Sequence, residues 1–184
     1  MSDDEHIASL HAALWPDGPR GASVWAVLDG ARDPKIHLAL IESRLEVRCL
    51  FAGPLPRELE LAAPQLVELL PDHRLTRLLL GEAWGRSWGV FVRTSDPADL
   101  RLQLRKLLRV KVEGGGYMLL RWYDPRVLTM LLPTCDAAQL RQLFAGAEGY
   151  VCEAQRGLAC SSFTLRQGRL QVKTLPLQRQ PAAA

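Results

Sequence analysis

Six consecutive residues, Arg121 to Arg126, place two guanidinium groups, a phenol and a carboxylate in one short run, RWYDPR. Arginines at such spacing can hold a carboxylate through charge-assisted hydrogen bonds, so one reading is a polar groove that accepts a peptide or a carboxylate. Asp29 or Asp124 with an arginine could instead serve a hydrolase or transferase of α/β fold, because such folds place catalytic groups at strand ends. Each residue also has a purely structural reading. Asp33 and Asp124 both precede proline and suit helix N-caps, each worth about 1 kcal/mol. Asp29 precedes Gly30, a common turn pair. Arg121 sits in an expected half-buried strand, where a guanidinium must be paired; Asp29 and Glu82 are the candidate partners, and such a pair would lock two parts of the chain together. Trp84 and Trp88, in EAWGRSWGVF, are either packing residues or interface anchors, since Trp, Tyr and Arg dominate binding hot spots. Trp88 is predicted to be core.

Other chemistries find little support. No G-x-S-x-G elbow is present, and Ser161-Ser162 has no activating context. Cys49, Cys135, Cys152 and Cys160 include no C-x-x-C pair, which argues for reduced thiols packed as small hydrophobes. His6, His11, His37 and His73 are scattered without H-x-x-x-H spacing, so neither a metal nor a cofactor is expected. The EGGGY glycines lack the lysine of a phosphate loop and read as a hairpin turn. In RLQLRKLLRVK, Arg101, Arg105 and Arg109 recur every four residues, which predicts one solvated stripe of an amphipathic helix. The net charge of +3 is too small an excess to argue for nucleic acid.

The elements that must position these groups follow from periodicity. HIASLHAALW predicts a helical lead-in. ASVWAVLDGA reads as a strand buried on both faces, PKIHLALIES as a helix after the Asp33 cap, and LEVRCLF and PQLVELLP as strands. DHRLTRLLLGEAWG is the next helix, capped by Asp72. In SWGVFVRTS, strand alternation puts Trp88, Val90 and Val92 on one face. Asp96-Pro97 is expected to start the following helix. YMLLRWYD reads as a strand ending in the Asp124-Pro125 helix start, Asp136 as the cap of a further helix, and GYVCEAQ, ACSSFTLRQ and RLQVKTL as closing strands, the last two a hairpin. The alternation of strands and helices up to about Val112 argues for an α/β sheet with helices packed on it.

Apolar residues make up 48% of the 184, enough for a sizeable core. No apolar run approaches the ~20 residues of a membrane helix, and the acidic start MSDDEHIASL is unlike a signal peptide. A cytoplasmic protein is therefore expected. The organisation predicted is a helical lead-in over 1–21, an α/β N-terminal lobe with a mixed sheet over 22–113, a smaller α+β C-terminal lobe over 114–178, and a frayed tail over 179–184.

Several motifs in order, VWAVLDGARDP, RCLFAGPLP, APQLVELLP, GEAWGRSWGVFVRT, WYDPRVLTMLLPTC and AAQLRQLFAG, resemble the domain of unknown function family 4123, over roughly residues 22 to 150. The resemblance implies a non-enzymatic adaptor, or chaperone, of bacterial type VI secretion. Such proteins bind a toxic effector in the cytoplasm and help load it onto the spike (valine-glycine-repeat) protein. It also implies two lobes, which suits a boundary near Gly114; no catalytic motif is carried over from it. Trp84, Trp88, Arg121, Tyr123, Asp124 and Arg126 match the family pattern and are the expected partner-binding residues, with the Arg101/Arg105/Arg109 face a second surface for the spike.

Overall fold

The computed structural model describes residues 3–18, 21–112 and 114–177; the tail expected over 179–184 lies outside them. Its spine is a seven-stranded sheet in the order β2-β3-β1-β4-β7-β8-β9. The strands are β1 (Ser23–Asp29), β2 (Val47–Cys49), β3 (Pro64–Leu69), β4 (Gly89–Thr94), β7 (Gly149–Ala154), β8 (Ala159–Arg166) and β9 (Arg169–Pro176). A separate two-stranded ribbon joins β5 (Arg109–Lys111) to β6 (Tyr117–Leu119). The helices are α1 (Asp3–Leu14), α2 (Lys35–Ser43), α3 (Arg57–Ala62), α4 (Arg74–Leu80), α5 (Leu100–Lys106), α6 (Pro125–Leu131) and α7 (Ala137–Leu143). The protein is thus mixed α/β, with every neighbouring pair in the large sheet antiparallel.

Strand alternation builds two cores, one on each face of the sheet. From β1, Val24, Ala26 and Leu28 enter the first, with Leu10 and Leu14 of α1, Ile36 and Leu40 of α2, and Leu75 and Leu79 of α4. Trp25 and Val27 enter the second, with Leu100 and Leu104 of α5, Leu128 of α6, and Leu140 and Leu143 of α7. β1 is therefore buried on both faces, as its unbroken apolar run predicts. Gly114 falls in the β5–β6 turn, and the large sheet draws strands from both sides of it.

Local chemistry explains several helix starts. Asp124 Oδ1 accepts from Arg126 N at 3.0 Å and caps α6 with Pro125 in its first turn. Asp136 caps α7 through Ala138 N and Gln139 N, and Gln139 Oε1 answers with a bond from Asp136 N. Asp33 Oδ1 accepts from Lys35 N at 2.9 Å at the start of α2.

Four expectations are corrected. α4 is capped by His73, whose Nδ1 accepts from Leu75 N, and not by Asp72. Asp96 bonds Ala98 N, but α5 begins only at Leu100, so the Asp96-Pro97 pair forms a turn ahead of the helix. α5 ends at Lys106, so Arg109 lies on β5 and the basic stripe is split. Arg101 turns inward to donate to Cys49 O, and Arg109 stacks over Tyr117. Finally, the strand expected through YMLLRWYD stops at Leu119, leaving Arg121 in a loop.

Candidate functional site

The RWYDPR run lies where β1 ends, β4 begins and α6 starts. The loop from β6 turns back over the sheet end because Trp122 is driven fully into the second core, edge-to-face with Tyr123 and Tyr150 at centroid distances of 6.1 and 6.0 Å. That anchor fixes the residues on either side of it. Arg121 pairs with Asp29, which is 1% exposed. Asp29 is held in turn by the β1 end: its Oδ1 accepts from Ala31 N, and its backbone N–H donates to Trp88 O at 2.8 Å. Of the two partners expected for Arg121, the structure selects Asp29.

Arg126 makes a two-point contact with Asp124, Nε to Oδ1 at 2.9 Å and Nη2 to Oδ2 at 2.6 Å. The Asp124 side chain is 5% exposed and the Arg126 side chain 60%; for Arg121 the figure is 46%. Both guanidinium groups are therefore seated on buried carboxylates and reach solvent with their remaining donors. Burial alone would push the Asp124 carboxyl up, but hydrogen bonds from the Arg126 side chain and backbone, with the charges of Arg126 and Arg121, hold it below the usual carboxylate range. Burial pushes the Tyr123 phenol up to about 12, reinforced by the Asp29 charge and opposed by Arg121. Asp124 is thus engaged as an anion and the Tyr123 phenol is held neutral.

A third buried carboxylate completes this end of the sheet. Glu153, at the end of β7, accepts from Gly85 N at 2.7 Å, Ser87 N at 3.1 Å and Ser87 Oγ at 3.0 Å. It gathers the turn between α4 and β4. Trp84 Nε1 donates to Gly157 O at 3.2 Å and closes that turn against the β7–β8 connection. The sequence reading passed over Glu153 and Trp122. A lone glutamate inside the apolar run GYVCEA was the available signal, because a buried carboxylate demands donors.

Of the six expected partner-binding residues, Arg121 and Arg126 are brought together at the surface. Trp84 and Trp88 are 4% and 6% exposed and belong to the first core. Trp84 is therefore packing and not a surface anchor. Trp88 is core as expected, but on the side of Phe91 and not of Val90 and Val92. Gly89 brings the strand so close to β1 that a Cβ there would lie 2.1 Å from Val27 O. Trp88 Nε1 reaches Asp33 Oδ2 at 3.2 Å, tying the α2 start to the same end of the sheet. Tyr123 and Asp124 are buried and support the arginines from beneath.

Elsewhere, Cys49, Cys135, Cys152 and Cys160 are free thiols. Burial pushes the Cys152 and Cys160 thiols each up to about 12. Native protein is expected to react with a thiol reagent at no more than two positions, Cys49 and Cys135, and at all four after denaturation; fast reaction of Cys152 in the native state would contradict this burial. The same groups set an alkaline limit. Tyr123, Cys152 and Cys160 keep their protons to about pH 12 when folded, while the unfolded chain loses them near ~8.5 for Cys and ~10 for Tyr. The unfolded state then binds fewer protons, so stability is full below about pH 8.5 and falls as pH rises toward 12. Chemical denaturation at pH 7 and pH 10.5 should show a lower midpoint at the higher pH.

The architecture is a mixed α/β protein with an antiparallel sheet between two helical layers, carrying an arginine pair on buried carboxylates at one sheet end. The model of the domain of unknown function family DUF4123 matches residues 24–142, and the chain belongs to that family. No curated protein and no solved structure matches it. No helix among the described residues is long and apolar enough to cross a membrane.

Proposed function

We infer that the protein is a non-enzymatic adaptor that binds a toxic type VI secretion effector in the bacterial cytoplasm and promotes its loading onto the spike (valine-glycine-repeat) protein. The observation that carries the reading is the Arg121–Arg126 pair. Each guanidinium is oriented by a buried aspartate and turns its free donors outward, which suits bidentate recognition of a protein carboxylate or backbone carbonyl. Met130, 75% exposed, stands one turn along α6 from Arg126 and adds an apolar contact on the same helix face. Membership of the family supports the reading, given the adaptor role that the resemblance implies. The basic stripe, as the fold redistributes it over α5 and the β5–β6 ribbon, remains the surface proposed for the spike.

The alternative, a hydrolase or transferase using Asp29 or Asp124 with an arginine, needs a carboxylate free to act on a substrate. Both are committed to ion pairs, which weighs against it.

The adaptor gene is expected between a spike gene and an effector gene, so the neighbouring effector is the ligand to titrate calorimetrically. Arg126→Ala should weaken binding by about 2 kcal/mol or more, the level of a hot-spot residue. Replacing both arginines with lysine keeps the charge over Asp29 and Asp124 but loses the planar fork, and should weaken binding about tenfold with thermal stability close to wild type. Wild-type affinity in both folded variants would overturn the assignment of this surface.

A further inference from the structure

We propose that the groove between α1 and the β8–β9 end of the sheet is a second binding site, which takes the carboxylate of an acidic protein segment. It stands at the opposite end of the strands from Arg121 and Arg126: Arg93 pairs in register with Val24 and Gly149, whereas Asp29 closes the far end of β1. The site does not depend on the adaptor reading.

The sheet face that α1 covers is apolar at Phe91, Val151, Cys160 and Leu175, which share one core with Leu10 and Leu14 of the helix, and turns polar where the row through Phe91 and Val151 reaches Ser162 on β8. Register then brings Ser162 opposite Lys173 and Thr164 opposite both Gly149 and Gln171. Ser162, Thr164, Gln171 and Lys173, with Arg93, line a groove of about 380 Å³, a volume within the usual range of binding clefts. Ala12, Ala13 and Pro16 of the α1 end form its apolar wall.

Arg93 is the reason to expect an anion. Its side chain is only 15% exposed, and its Nε is buried and finds no acceptor among the described residues. Among the described residues its one ion pair is long, 3.5 Å from Nη2 to Asp17 Oδ2, and the Asp17 side chain is 76% exposed. A guanidinium taken this far out of water needs a better-seated anion than that. Lys173 supplies a second positive charge on the same wall, and Ser162 and Thr164 supply hydroxyls. A bidentate carboxylate satisfies the Arg93 fork, and the apolar helix wall receives the chain that bears it. Asp17 competes for the guanidinium in the absence of that carboxylate.

The test follows the Arg93 Nε–Hε resonance by NMR during titration with a blocked oligo-glutamate peptide. A saturable shift is expected, absent with the matching oligo-glutamine peptide and weaker at higher salt. Lys173→Ala, on an exposed strand, should weaken binding about tenfold, and Arg93→Met, which lacks the reporter and is titrated by calorimetry instead, should abolish it. Asp17→Asn, which removes the competitor, should strengthen it. Three results would overturn the proposal: an Arg93 resonance that does not respond, wild-type affinity in Lys173→Ala and Asp17→Asn, or free glutamate or inorganic phosphate saturating the site as tightly as the peptide.

Discussion

Trp122→Ala is expected to remove about 3–5 kcal/mol of folding stability, the cost of emptying a large aromatic site in a packed core. Trp122 is fully buried, stacks edge-to-face with Tyr123 and Tyr150, and sits between Arg121 and the Asp124 cap. A domain of ordinary stability holds about 5–15 kcal/mol in total, so the variant should lose a large fraction of it. Its loss also releases the loop that seats Arg121 on Asp29, so partner binding should fall with stability. Trp122→Phe keeps a ring in the site and removes an indole N–H that finds no acceptor among the described residues; it should cost much less than the alanine variant. Urea denaturation of the two variants measures both effects. Equal losses would mean that the ring does not anchor the loop.

The second large effect is expected at Gly157. Its φ is +86°, and a Cβ there would lie 2.7 Å from Gly85 Cα, whose own φ is +90°. Ser87 and Arg156, at φ 55° and 57°, are also left-handed, so two tight turns face each other across this contact. Gly157→Ala therefore adds overpacking of about 1–3 kcal/mol to backbone strain of about 1–3 kcal/mol. Gly168 in the β8–β9 turn has a φ of +74° but open space around its Cβ position. Gly168→Ala should show the strain alone. A Gly157→Ala midpoint no lower than that of Gly168→Ala would show that the turns can separate without cost. Glu153, which gathers Gly85 and Ser87, predicts that they cannot.

What the sequence disclosed, and what it hid, divide along physical lines. Caps are local: Asp124 and Asp136 each bond a backbone N–H within three residues, so the residue types suffice to find them, while Asp33 bonds Lys35 N from one residue ahead of the α2 cap position at Pro34. The partner of Arg121 was narrowed correctly because a half-buried guanidinium requires a carboxylate and few were near a strand end. The long-range features were harder. Strands joined by helices suggest βαβ units, but β1 lies between β3 and β4 and runs antiparallel to both, an arrangement that depends on strand order and leaves no mark in periodicity. The alternation rule placed Trp88 with Val90 because it assumes the pleat extends through Trp88. The strand begins only at Gly89, where β1 approaches too closely for a side chain. Arg101 and Arg109 share a helical period in sequence, yet one donates to Cys49 O and the other stacks on Tyr117. Trp84 looked like an interface anchor because a tryptophan in a Gly-rich turn is ambiguous; its place is set by a contact 73 residues away, at Gly157.

The central claim is that this chain carries an effector to a spike through a surface built on Arg121 and Arg126, without chemistry of its own. Reconstitution tests it most directly: purified effector and spike are mixed with wild-type chain, with the Arg121→Lys/Arg126→Lys variant, or alone, and the effector recovered on immobilised spike is measured. Recovery should rise about tenfold or more with the wild-type chain, an effect of about 1.4 kcal/mol, and should stay near the level without chain for the variant. Effector recovered equally well in the absence of the chain, or with the variant as with the wild type, would contradict the account.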